Sequence, residues 1–435
     1  MTGAARVLAL YAVMAALILL VGLLQSWTVA LAILQLSLIS AIMSLGANIQ
    51  WGYAGLFNAG VMGFAALGGV AGVLVAMPPV AGALAAGGLD LGLAILTVLA
   101  TAALILFLRP RLPDLIRTPA TLVLAFLGYL AMRRFLDPAS AAIGSATGAQ
   151  GYMGGLGLPI LIAWPVGGLF AAGAAWLVGK VALGLRSDYL AIATLGIAEI
   201  ILAVLKNENW LTRGVKNVTG IPRPVPDEIV LQQQPWVIDL AARFGSDPVM
   251  TAAVVSRLWY AVLFAIVLAI LLWLSERALR SPWGRMMRAI RDNRDAAEAM
   301  GKDVTRRHLR VFVLGSAVVG IAGAMLVTLD GQFTPASYNP LRYTFLIWVM
   351  VIVGGSGNNW GAVLGGFLIW YVWVVAEPIG NWLTAHLAAL ASPGGWWDSH
   401  LRAAAPHFRP LLMGLILLVT LRFAPRGLIP EARGR

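Results

Sequence analysis

The run V-L-A-L-Y-A-V-M-A-A-L-I-L-L-V-G-L-L, residues 7–24, has no charge, and its only polar side-chain group is the Tyr11 hydroxyl. At about 1.5 Å of helical rise per residue, a run of this length crosses most of the roughly 30 Å hydrocarbon layer of a bilayer. Charge-free runs of the same kind recur at residues 29–45 and 91–108. Only residues 25–28 separate the first run from the second, and no small-residue cleavage site ends it, so it is expected to be a retained helix rather than a signal peptide. Composition points the same way. The 435 residues are 60% hydrophobic and 11% charged, against about 25% charged in soluble domains. A soluble fold has no means of covering that much apolar surface.

The expected class is an all-α polytopic membrane protein. Absence of cysteine excludes disulfides, thiolate nucleophiles and cysteine-ligated metals. The four histidines, His308, His386, His400 and His407, form no H-x-x-x-H or H-E-x-x-H arrangement, which argues against hydrolytic metal chemistry. The net charge of +12 fits either nucleic-acid binding or basic cytoplasmic loops, and its distribution decides between them. Residues 277–310 hold ten Lys or Arg against four acids, whereas residues 207–255 hold four bases and five acids. Positive charge accumulates on the cytoplasmic side of membrane proteins. The first loop is therefore expected in the cytoplasm, the second outside.

From those two anchors, apolar spans are expected near 7–24, 29–47, 56–76, 91–108, 120–136, 159–179, 189–206, 257–275, 309–329, 343–353, 361–376 and 411–422. That gives about ten to twelve transmembrane helices in a single membrane domain, 1–435, with both termini and the basic tail 423–435 in the cytoplasm. Arg133 and Arg134 fall on the wrong side of this topology. Residues 56–76 and the pair of segments flanking 354–361 are too Gly-rich or too short for ordinary spans. They are expected as broken or re-entrant helices, which the membrane tolerates where the backbone is buried in protein or lines a cavity. Trp27, Trp51, Trp164 and Trp382 lie near span ends and read as interfacial anchors.

The segment S-P-W-G-R-M-M-R-A-I-R-D-N-R-D-A-A-E-A-M-G-K-D-V, residues 281–304, lies within the basic loop. Ser281 is an N-cap residue with Pro282 in the first helical position, and Gly301 suits a left-handed C-terminal cap. Between them Trp283, Met286, Met287, Ile290, Ala297 and Met300 recur at helical spacing, so one capped amphipathic helix is expected. Arg291 with Asp295 and Arg294 with Glu298 are spaced for four-residue pairing. A basic amphipathic helix suits the anionic inner leaflet; small residues around Glu298 suit a protein groove equally well.

The run A-A-E-A-M-G, residues 296–301, resembles the coupling loop that ATP-driven importer permeases insert into their ATPase. Three further stretches resemble the branched-chain amino acid permease of the M type, in the same order. They are G-Y-A-G-L-F-N-A-G at 52–60; A-T-L-G-I-A-E-I-I at 193–201 with L-T-R-G-V-K-N-V-T-G-I-P-R-P at 211–224; and V-G-G-S-G-N-N-W-G-A-V-L-G at 353–365. The sequence departs from the family at R-G-V-K-N-V, residues 213–218, where members usually carry a double glycine after the Thr. Urea, short amides and other amino acids remain alternative substrates. The resemblance implies an ATP-binding cassette importer permease in the bacterial inner membrane. It implies three kinds of protein partner, namely two cytoplasmic ATPases, a second homologous permease and a periplasmic binding protein, with the lipid bilayer around them. It also implies that Trp283, Arg285, Met287, Ile290, Ala297, Glu298 and Gly301 engage the ATPase.

No G-x-x-x-x-G-K-[S/T] phosphate loop occurs, so ATP hydrolysis must come from partner subunits, with no cofactor in this chain. For the substrate pathway the candidates are Asn48, Gln50 and Asn58 around the Gly-rich break, and Glu199 within an apolar span. Ionisable groups in the membrane mark function by default, and a half-helix N-terminus attracts a carboxylate. Structural pairing of Glu199, and glycines that merely permit close helix packing, fit the same residues. A membrane-embedded transferase is disfavoured because the one acidic cluster, Asp292, Asp295, Glu298 and Asp303, is interleaved with arginines. An ion-coupled transporter is disfavoured by having a single acid within the spans.

Overall fold

Ser26 begins the central helix of the protein by accepting a hydrogen bond from the Val29 amide, and Gly55 ends it in the left-handed region at φ +69°. The computed structural model describes residues 3–148, 150–339, 343–389 and 395–431. Its helices are α1 (Gly3–Leu24), α2 (Trp27–Ala54), α3 (Val61–Ala71, prolonged by a π turn Gly72–Ala76), α4 (Ala83–Leu108), α5 (Asp114–Thr147), α6 (Ile160–Ala182) and α7 (Ser187–Asn207). There follow α8 (Pro235–Phe244), α9 (Pro248–Arg280), α10 (Pro282–Asp292), α11 (Arg294–Ala299), α12 (Val304–Asp330), α13 (Phe345–Gly354), α14 (Asn359–Ala389) and α15 (Phe408–Phe423). Each expected apolar span coincides with one of these helices. Among the described residues nine are long and apolar enough to cross a membrane, while Val61–Ala76 and Phe345–Gly354 are shorter apolar helices, as the Gly-rich texture predicts.

Helix α2 is buried almost continuously from Ser37 to Gln50, because α9, α12, α13 and α14 all pack around it. In hydrocarbon, helices associate through close packing and polar contacts rather than through apolar burial alone, so small residues gather where backbones meet. Helices α3, α6 and α12 follow that rule through Gly68, Gly167 and Gly320. A methyl on Gly68 would lie 1.9 Å from the Gly320 carbonyl oxygen, so only glycine fits this crossing. Helices α4 and α5 pair chiefly with each other, and their outer faces are exposed leucines and phenylalanines such as Leu106, Phe107 and Phe126. Such surfaces suit lipid.

The polar segment 207–255 is folded. Val218–Thr219 (β1) pairs antiparallel with Gln332–Phe333 (β2), and Val237 of α8 is buried in a cluster with Leu231 and with Ala252 and Val255 of α9. Arg133, the topological misfit, is neutralised there: it bonds Glu208 and Asp137, both at 3.0 Å. Trp27 and Trp382 are exposed, as anchors should be. Trp164 is not an anchor: it is buried and donates to Thr328 Oγ1 at 3.0 Å. Residues 432–435 of the expected tail lie outside the described residues.

Candidate functional site

The basic loop forms two helices where the sequence predicts one. Ser281 caps α10 as expected, accepting from the Gly284 amide at 3.4 Å. At Asn293 the backbone turns extended (φ −152°, ψ 99°), and the Asn293 carboxamide caps α11 by accepting from the Ala296 amide at 3.0 Å. Asparagine competes with the helix for local hydrogen bonds, which breaks the expected rigid unit. The apolar stripe is broken with it. Gly284, Met287 and Ile290 are buried against α9 and α2, whereas Met300 is 79% exposed.

The seven expected coupling residues therefore divide. Met287 and Ile290 are fully inside the chain, and Trp283 and Ala297 pack half-buried against its core. Only Arg285, Glu298 and Gly301 face outward, beside Ala296, Ala299 and Met300. Arg294 bonds Glu298 at 2.9 Å as expected. Arg291 does not reach Asp295; its guanidinium turns inward to the Gly52 carbonyl at the end of α2 and to Glu431 at 3.0 Å. The tail bearing Glu431 is itself fixed, since Leu428 and Ile429 amides donate to the Val353 and Gly354 carbonyls at 2.8 and 2.9 Å, and Asn358 Nδ2 donates to the Pro430 carbonyl at 3.1 Å. Arg291 thus ties α10 to α2 and, through the tail, to the turn between α13 and α14. That turn depends on Gly355 and Gly357, at φ +120° and +82°, values side-chain-bearing residues rarely adopt.

Asn48, Gln50 and Asn58 are all buried, in two hydrogen-bonded groups. Gln50 Nε2 donates to Phe312 O and Ser316 Oγ, both at 3.0 Å, and its Oε1 accepts from Asn58 Nδ2 at 2.9 Å. Asn58 Oδ1 accepts from the Gly60 amide at 2.9 Å. Asn48 Nδ2 donates to Asn359 Oδ1 at 3.1 Å, and its Oδ1 accepts from the Gly357 amide at 2.8 Å. All three are buried, and each carboxamide is engaged through both its nitrogen and its oxygen, as buried polar groups ordinarily are. They hold the break at 55–60 against α12 and the α13–α14 turn. The buried start of α3 is closed as well. A methyl on Gly63 would lie 2.8 Å from Ala198 Cβ of α7, so the glycines there serve close packing.

Glu199 does not join Asn48, Gln50 and Asn58. Thr194 and Ala198 of α7 face α3, while Glu199 lies exposed on the outer face with Ile192 and Ile200. An almost wholly apolar helix hides which face turns inward. The residues missed by sequence reasoning are Asn359, Glu276 and Glu431. Asn359 accepts from Tyr53 and Asn48 and donates to Glu276 Oε1 at 3.0 Å. Its signal was the N-N pair inside the quoted 353–365 motif; Glu276 and Glu431 gave none.

A family described as branched-chain amino acid transport system / permease component matches residues 138–421. The chain is 27% identical over 285 residues to the high-affinity branched-chain amino acid transport permease LivM of Escherichia coli K12, covering 64% of this chain and 59% of the relative. It is likewise 27% identical over 275 residues to a probable LivM of Methanocaldococcus jannaschii, covering 63% and 68%. A shorter match, 32% over 96 residues, joins 21% of this chain to 24% of the xylose permease XylH of E. coli K12. The chain thus spans 59% of the length of the E. coli relative. No solved structure matches.

Proposed function

Because the chain belongs to the branched-chain amino acid transport permease family, we propose that it is a membrane permease subunit of an ATP-binding cassette importer of branched-chain amino acids. The face bearing α10 and α11 is cytoplasmic, by the excess of arginine there. Two ATPase subunits bind it and hydrolyse the ATP. A second homologous permease completes the pore, and a periplasmic binding protein delivers substrate to the opposite face, built from segment 207–255 and the β1–β2 pair. The protein resides in the bacterial inner membrane and performs no covalent chemistry itself.

The observation that carries this function is the linkage through Arg291. A coupling element must be open to a partner at one end and fixed to the membrane helices at the other. Helix α11 offers Ala296, Ala299 and Met300 exposed, small and flexible side chains that suit a protein groove. Helix α10 is held by buried Met287 and Ile290 and by Arg291 to Gly52 and Glu431. A push on α11 is therefore delivered to the end of α2 and to the α13–α14 turn, the two places where helices are broken. Broken helices hinge more readily than continuous ones. Glu199 supports the second permease: a carboxylate on the outer face of a spanning helix is costly against lipid and is relieved by a donor on a covering protein.

Ala299→Asp tests the ATPase contact. Ala299 touches solvent in this chain, so the variant is expected to insert normally, yet an unpaired charge at a protein contact disfavours binding. Loss of ATPase co-purification is expected. Wild-type co-purification together with wild-type substrate-stimulated hydrolysis would remove α11 from the coupling role.

A further inference from the structure

A cavity of about 230 Å³ opens between α2, α3, α12 and α14, bordered by Thr334, Ser337 and Tyr338 just after β2. Its inner wall is apolar, with Ile39 and Met43 from α2 and Leu326 from α12. Its outer side is polar. Asp330, the last residue of α12, stands exposed at the rim, and among the described residues no cation or hydrogen-bond donor pairs with it. Thr334 Oγ1 and Trp370 Nε1 line the same cavity, and among the described residues neither buried atom has a hydrogen-bond partner. Buried polar groups are nearly always satisfied, and each exception calls for an occupant or a function.

One carboxylate acceptor, two groups able to donate and an aliphatic wall form a complementary set. An ammonium suits Asp330, a carboxylate suits the Thr334 hydroxyl and the Trp370 indole N–H, and a branched aliphatic chain suits Ile39, Met43 and Leu326. The volume is below the roughly 300–1,000 Å³ of drug-sized pockets, which restricts the guest to amino-acid size. Because β2 pairs with β1 of segment 207–255, the cavity sits on the face assigned above to the binding protein. We propose that this cavity is a holding site for a small zwitterion with an apolar side chain, anchored through its ammonium by Asp330. This rests on the importer function above for its choice of leucine as probe, and not for its geometry.

The chain has no cysteine, so Ser337→Cys, in another residue of the cavity lining, supplies this chain's single reporter, read on its own band from the assembled transporter. Leucine at ten times its half-saturating concentration is expected to slow labelling by a methanethiosulfonate reagent about tenfold, by simple occupancy. 4-Methylpentanoate, which lacks the ammonium, is expected to give no protection. Adding Asp330→Asn should raise the half-protecting leucine concentration about tenfold, the loss of one charge-assisted contact, and Asp330→Glu should restore most of it. Absence of leucine protection, or equal protection by 4-methylpentanoate, overturns the site even where Asp330→Asn fails to assemble. ATP-dependent leucine uptake measured in the same vesicles separates the two claims. Uptake without protection removes the cavity alone, whereas protection without ATP-dependent uptake keeps the cavity and removes the importer.

Discussion

Replacing Arg291 with Gln removes the side chain that, among the described residues, joins the basic face to both broken-helix regions; Arg288 reaches Glu431 alone, at 3.8 Å. The guanidinium is 23% exposed and Glu431 26%, so the pair is shielded enough to matter but not fully buried. Hydrogen bonds to charged groups contribute about 1.5–3 kcal/mol when shielded, and partial exposure places this one toward the lower end. The contact with Asp292 adds little, because that carboxylate is 67% exposed. Gln is too short to hold both Gly52 and Glu431. A weakening of roughly 2 kcal/mol follows, which changes the ratio of docked to undocked α10 up to about thirtyfold. In proteoliposomes containing the whole transporter, basal ATP hydrolysis and subunit assembly should persist. Stimulation by loaded binding protein, and leucine transported per ATP, should fall severalfold. Glu431→Gln should fall less, since Arg291 keeps the Gly52 carbonyl. Wild-type stimulation and wild-type stoichiometry in Arg291→Gln would refute transmission through this residue.

Topology is accessible because no native cysteine competes: Lys216→Cys is expected to react with an impermeant maleimide in spheroplasts, and Met300→Cys only after permeabilisation, the reverse pattern inverting the orientation. Glu199→Leu should leave the chain folded, since the side chain is exposed, but reduce co-purification of the second permease; undiminished association would assign the outer face of α7 to lipid. Asn217 lies at φ +58°, ψ 151°, a region essentially reserved for glycine that costs about 1–3 kcal/mol. After the added chain entropy of glycine, Asn217→Gly should stabilise the protein by about 1 kcal/mol in thermal unfolding, and a lowered midpoint would disprove the strain.

The spans were legible because length and lack of charge are local properties, and bilayer thickness converts them directly into helices. The short segments 61–76 and 345–354 were legible for the same reason, through glycine. What local sequence does not carry is direction. Glu199 was assigned to the interior because every face of α7 but one residue is apolar, and in lipid the outer face is as apolar as the core. Asn48 reads as a free polar group until its partners Gly357 and Asn359, some three hundred residues away, are folded against it. Asn293 deceived differently: residues 281–301 carry a continuous helical period and caps at both ends, and one capping asparagine in the middle outweighed them. Its capping preference was visible, but the inward pull on Arg291 from Glu431, which makes the break useful, was not.

Energy source is the property on which all of this turns. With the partner ATPases, second permease and binding protein reconstituted in vesicles, leucine is expected to accumulate only when ATP is supplied on the side of α11 and loaded binding protein on the other, and to be indifferent to collapse of proton and sodium gradients. Accumulation that proceeds without ATP and disappears when an ion gradient is dissipated would contradict the account.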